Sequence, residues 1–211
     1  MAKQQKMTKE ELQEDKLVEF MVLATKFIED HMKKIIAAVV VIIVIGGAGW
    51  LYTNYHNKMI AEANNLIWEG DKKYEEKAYK DAIDKYDDVL NINSVGNLKG
   101  VVYLKIANAY FADKNYAEAE KHFDLASKSL KNDFLRYSAL EGIAQVYYAQ
   151  EKFDEAAKKY ENIVGKIDAV KFKDKAATLT FEAANSYEKA NNLEKAKALY
   201  QNIISIYEDT P

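Results

Sequence analysis

Three histidines and a few neighbouring carboxylates are the residues of this chain best equipped for chemistry. His31, His56 and His122 are scattered. No two of them stand at a spacing that lets a helix or hairpin offer both to one metal ion. Glu75 with Glu76, and Asp87 with Asp88, are carboxylate pairs of the kind used in general acid–base catalysis. They lie at helical spacing beside lysines, which is the pattern of a solvated helix face. Cysteine is absent, which excludes a disulfide framework, a thiolate metal site and a cysteine nucleophile. There is no glycine-rich phosphate loop and no G-x-S-x-G turn. The residues therefore predict no catalytic, cofactor or metal site, and the chain reads as one that binds rather than reacts.

The remaining composition is helical. The 211 residues include one Pro and eight Gly, against abundant Ala, Lys, Glu, Asp and Tyr. The formal net charge is −3, spread so that neither end is a polycation for nucleic acid. Arg136 is the only arginine, a bias read as genomic rather than functional.

The run Ile35 to Tyr52, IIAAVVVIIVIGGAGWLY, carries no charge, and the uncharged stretch continues to Tyr55. Eighteen residues make a helix of about 27 Å, close to a hydrocarbon core of roughly 30 Å. Nine of its first eleven residues are Ile or Val, which favour insertion by roughly 3 to 5 kcal/mol in total. A transmembrane helix over 35–55 is predicted. Lys33 and Lys34 precede it, Trp50, Tyr52 and Tyr55 anchor its far end, and beyond them Lys58 stands alone. That lysine bias places the N-terminus in the cytoplasm. Residues 1–34 form a cytoplasmic segment. Thr8-Lys9-Glu10-Glu11 has capping-box spacing, and Leu17, Phe20, Met21, Ala24, Phe27 and Ile28 share one face. This amphipathic helix lies on the membrane surface or docks on a protein; its mixed polar face favours docking. With no turn cluster between Tyr55 and Gly70, the span can run on as one helix into the soluble part.

Residues 56–211, placed outside the cytoplasm, repeat themselves. Four segments share a large apolar residue, then Ala three positions later, then an aromatic four further on: Tyr79, Ala82, Tyr86; Tyr116, Ala119, Phe123; Phe153, Ala156, Tyr160; Leu193, Ala196, Tyr200. Nine residues before the last three alanines stand Tyr110, Tyr147 and Tyr187, each preceded by a small residue at Ala107, Ala144 or Ala184. Gly70 takes that small place in the first unit. This pattern resembles the tetratricopeptide repeat family, W-x2-L-G-x2-Y…A-x3-F…P. Here the alanines recur at intervals of 37, 37 and 40 residues, longer than the family's 34. The resemblance implies an all-α solenoid of about four helical hairpins. Helices are expected near 58–76, 79–91, 98–113, 116–130, 134–150, 153–165, 174–190 and 193–207. The extra residues are expected at helix ends and in the loop Gly165 to Lys175. Ile203, Ile204, Ile206 and Tyr207 leave the last helix without a polar cap, so it needs a cover, a second copy being one candidate.

Solenoids of this family present a concave surface built from the first helix of each pair. Carried onto this chain, it would be lined by Asn64, Ile67, Asp71 and Tyr74, then by Leu104, Asn108 and Phe111. Glu141, Gln145 and Tyr148 come next, then Phe181, Asn185 and Glu188. Asn and Gln can pair with an extended peptide backbone, while Phe111, Tyr148 and Phe181 can anchor side chains; packing within the stack is the competing role for Phe111 and Phe181. The family's carboxylate clamp is incomplete here: Asn108 fits, but Leu104 stands in place of the clamp's Lys. The full layout resembles the bacterial YfgM-like family of ancillary SecYEG translocon subunits. A short cytoplasmic helix, one span and an external repeat domain carry the likeness, with Leu17-Val18-Glu19-Phe20 and Phe27-Ile28-Glu29. It implies a single-pass protein of the bacterial inner membrane with a periplasmic repeat domain. Translocon subunits, periplasmic chaperones and exported chains would be its partners. The competing reading is a structural scaffold bridging envelope or division complexes.

Overall fold

The computed structural model describes residues 9–92, 95–96 and 98–208, with side chains described between 16 and 205. Eight α-helices account for the secondary structure of these residues: α1 Lys9–Glu75, α2 Tyr79–Leu90, α3 Lys99–Ala112, α4 Tyr116–Ser129, α5 Asp133–Ala149, α6 Phe153–Val164, α7 Lys173–Lys189 and α8 Leu193–Glu208. The chain divides into two compact units, Met1–His56 and Asn57–Pro211.

α1 is one helix of 67 residues where the sequence suggests three consecutive roles. Nothing in it breaks a helix: it holds no proline, and Gly46, Gly47 and Gly49 meet no neighbour at the place a Cβ would occupy. The capping residue Thr8 lies outside the described residues, as do the side chains of Glu10 and Glu11. Within the first unit the apolar side chains face outward. Ile36, Ile42, Ile45 and Trp50 are 56–68% exposed. α1 supplies the one candidate membrane span among the described residues, and nothing in the protein covers it. The stripe Leu17, Phe20, Met21, Phe27 and Ile28 is likewise exposed.

The second unit is the opposite. Each helix from α2 onward packs on its sequence neighbours, so the core is a row of clusters rather than one centre. Ala107 and Ala119 share a cluster with Phe123, and Ala144 and Ala156 share one with Tyr160. These are the small-on-small crossings that the repeat spacing implies. Two glycines let rings approach still closer. A Cβ on Gly70 would overlap the ring of Tyr86, and one on Gly142 the ring of Phe123.

The hairpin turns repeat with the same register as the alanines. Lys77, Lys114, Glu151 and Asn191 have φ near +60°, and no other described non-glycine residue is left-handed. After each, the next amide donates across the turn: Ala78 to Lys73 at 2.9 Å, Asn115 to Tyr110 at 2.9 Å, Lys152 to Tyr147 at 2.9 Å and Asn192 to Tyr187 at 2.8 Å. These six-to-one bonds close a Schellman motif at the end of every first helix. Aromatic pairs flank three of the turns: Tyr74 with Tyr79, Phe111 with Tyr116 and Tyr148 with Phe153, ring centroids 5.1–5.8 Å apart.

Candidate peptide-binding face

Of the polar residues expected along the first helices, the four amides stand apart from the carboxylates in making no side-chain bonds. Asn64, Asn108 and Gln145 are exposed and Asn185 is half-buried. None of these amides bonds to another described side chain or backbone group. The apolar members divide. Ile67 and Tyr74 pack on the cluster around Tyr86, and Leu104 and Phe111 on the cluster around Phe123. Tyr148 is half-buried, edge-on to Phe153 at 5.1 Å. Phe181 is 50% exposed, its ring 5.8 Å from that of Tyr200. Of the three aromatic anchors suggested by sequence, Phe181 offers the most free surface.

Between α1, α2 and α3 lies a polar cleft of about 130 Å³ lined by Asp71, Tyr74, Tyr86, Lys105 and Asn108. Asp71 is its hub. It accepts from the Tyr86 hydroxyl at 2.6 Å and from the Lys105 ammonium at 2.7 and 2.9 Å. Burial and the adjacent Asp71 carboxylate push the pKa of the Tyr86 hydroxyl far above the ordinary tyrosine range. Lys105 sits next in sequence to Leu104, where a carboxylate clamp would have its cation, and it is neutralised by Asp71. The cleft therefore has little attraction for a peptide carboxylate.

A second ion pair links first helices further along. Glu141 on α5 and Lys175 on α7 form a salt bridge with both side chains mostly shielded from water. Loss of either partner would leave a shielded charge unpaired. Sequence reasoning placed Asp71 and Glu141 on the face without their lysine partners. Each pair spans 34 residues, a separation that only the stacking geometry interprets.

The outer tyrosines are bonded too. Tyr147 donates to Glu120 at 2.9 Å and Tyr187 to Glu161 at 2.5 Å, tying each first helix to the second helix of the preceding pair. Among the described residues, no group of three His, Asp or Glu side chains converges to hold a metal ion.

A family model for tetratricopeptide repeat-like domains matches residues 26–205, and the chain belongs to that family. The match covers the apolar span as well as the repeats. Among solved structures, the chain is similar to the nearly identical TPR-like repeats of a Podosopora anserina protein assigned to the kinesin light chains. That likeness has a TM-score of 0.55 at 16% identity, over 69% of this chain and 74% of that one. The first TPR of Spaghetti (RPAP3), solved with the HSP90 peptide SRMEEVD, has a TM-score of 0.42 at 24% identity, over 67% of this chain and 94% of that one. No curated protein matches. The structural likeness shows the fold, and the family makes the second unit a protein-interaction module.

Proposed function

We propose that this chain is a membrane-anchored adaptor that holds extended segments of other proteins against its first helices. Residues 1–34 form its cytoplasmic part, 35–55 its single transmembrane helix and 56–211 its extracytoplasmic repeat domain, in a bacterial inner membrane. The observation that carries the reading is the joining, in one family match over 26–205, of an uncovered apolar span to a stack of interaction repeats. The lysines before the span and the aromatic residues after it support the orientation. Within that frame, likeness to YfgM-like subunits makes it an accessory factor of the Sec translocon, handling exported chains alongside periplasmic chaperones.

Protease added to spheroplasts should digest the repeats and leave the N-terminal segment protected; protected repeats would reverse the orientation. The partner is tested by capture from detergent-extracted membranes. Translocon subunits in the eluate support the export reading, whereas division or envelope-assembly proteins in their place favour the scaffold. The groove is tested with the full chain in detergent and extended, partly apolar peptides. Tyr148→Ala or Phe181→Ala should weaken binding about thirtyfold if the residue is a hot spot worth roughly 2 kcal/mol. Gln145→Ala should cost nearer 1 kcal/mol. Wild-type affinity in both aromatic variants would rule the concave face out.

A further inference from the structure

Inside the repeat unit each second helix is covered by the first helix of the next pair, and the covering residues recur in register. Val102, Ile106 and Ala109 pack with the Tyr86 and Val89 side chains of α2. Ala139, Ile143 and Val146 do the same for α4. Leu179 and Ala183 cover α6, with Ser186 buried at the third place. The equivalent positions on α1 are Asn65, Glu69 and Lys72. Glu69 pairs with Lys85 at 2.7 Å and accepts from Asn65 at 3.0 Å. That end of the stack is finished with polar groups, Trp68 alone standing exposed among them.

Among the described residues no further first helix covers α8, and its free side is apolar. Leu193 and Ile204 are 60% and 54% exposed. With Ala196 and Tyr200 they line a hollow of about 350 Å³, rimmed by Glu188, Lys197 and Gln201. One pair earlier, the place of Gln201 is held by Glu161, which receives the Tyr187 hydroxyl of the next first helix.

We propose that this hollow is covered by the same face of a second copy, giving a two-fold dimer through antiparallel α8 helices. Head-to-tail stacking would instead lay Asn65, Glu69 and Lys72 on Leu193 and Ile204, stripping water from charged groups against an apolar surface. The two-fold contact sets apolar centre on apolar centre. Its rim carries both signs, so the pairing turns the Lys197 edge of each copy toward the Glu188 edge of the other. Self-complementarity of this kind is what an isologous interface requires.

The native chain has no cysteine, so single cysteines report contacts without background. The experiment uses the full chain in mild detergent, with mass from sedimentation equilibrium and disulfide cross-linking of single-cysteine variants. Wild type should sediment as a dimer, and Ile204→Glu should halve the mass without changing helix content. Lys197→Glu should weaken the dimer at least fivefold, and adding Glu188→Lys should restore it. Ile204→Cys should cross-link to itself. A monomeric wild type overturns the proposal, as does a dimer that Ile204→Glu leaves intact, which would place the contact on α1. A mixture of Glu69→Cys and Ile204→Cys chains that cross-links 69 to 204 also overturns it, in favour of head-to-tail stacking.

Discussion

Ile42 and Ile106 are the same residue in helices of the same kind, yet Ile42 is 68% exposed and Ile106 is fully buried. The difference lies in their neighbours. From Ile35 to Ile45 apolar residues stand on every side of the helix, so no rotation can hide them, and the stretch is long and apolar enough to cross a membrane. Around Ile106 they recur on one side, facing α2, while Lys105 and Asn108 take the other. The first unit's helix satisfies its own backbone and asks nothing of its neighbours. The second unit's helices hold only because they cover one another.

A charge placed in each helix breaks the comparison most severely. Ile106→Lys buries an unpaired ammonium and should cost on the order of 5 kcal/mol, judged from the pKa displacement of buried lysines. That is enough to collapse the repeats in a thermal melt while membrane association survives. Ile42→Lys should do the reverse. It removes about 3–4 kcal/mol of insertion free energy and shows in membrane fractionation, with the melting of the repeats unchanged.

Next in size is overpacking inside the stack. Ala156 is fully buried at a helix crossing, whereas Ala112 is half-buried at the end of α3. Ala156→Leu should cost about 1–3 kcal/mol, and Ala112→Leu no more than about 0.5 kcal/mol. Equal losses in denaturant unfolding would mean that the two positions do not differ as the clusters indicate.

The second unit should also lose stability in alkali. The Tyr86, Tyr160 and Tyr187 hydroxyls are pushed far above the ordinary value of 10, first by burial of the ring, then by nearby carboxylates. The folded state keeps protons that the unfolded chain releases, so the stabilisation is complete below pH 10 and is lost as pH rises beyond it. Chemical unfolding between pH 8 and 11 should show a flat region and then a decline. Tyr86→Phe should make that decline shallower.

The smallest effect is a gain. Lys114 holds a left-handed conformation that costs a side-chain-bearing residue roughly 1 kcal/mol. Lys114→Gly should raise stability by about 0.5–1 kcal/mol in denaturant unfolding. Asn191→Gly should gain less, because asparagine already tolerates that region.

Much of this architecture was legible in the sequence. The alanine register placed seven of the eight helices within a residue or two of their observed limits, because each hairpin is defined by contacts between residues close in the chain. α1 was the exception: the sequence marked three functions along it but no break, and the helix simply continues. The turns were less legible. A left-handed residue usually announces itself as glycine, and here the places belong to Lys77, Lys114, Glu151 and Asn191. The Asp71–Lys105 and Glu141–Lys175 pairs were hidden because they join neighbouring hairpins. The candidate binding residues lie on the first helices where the repeat register puts them, but which of their rings are packed depends on the hairpin partners Tyr79, Tyr116 and Phe153. Those pairings appear only once the two helices are folded together.

The contrast between a polar first end and a bare last end has a consequence for how the repeats come apart. In a row where each member touches only its neighbours, unfolding proceeds like a zipper, from whichever end is worse fastened. In a single copy, among the described helices, that end is α8. Amide hydrogens should exchange fastest there, more slowly through α6 and α7, and slowest around α3 to α5, where both sides are covered. A partner seated on α8 would then act at a distance, slowing exchange in helices it never touches by closing the zipper's open end.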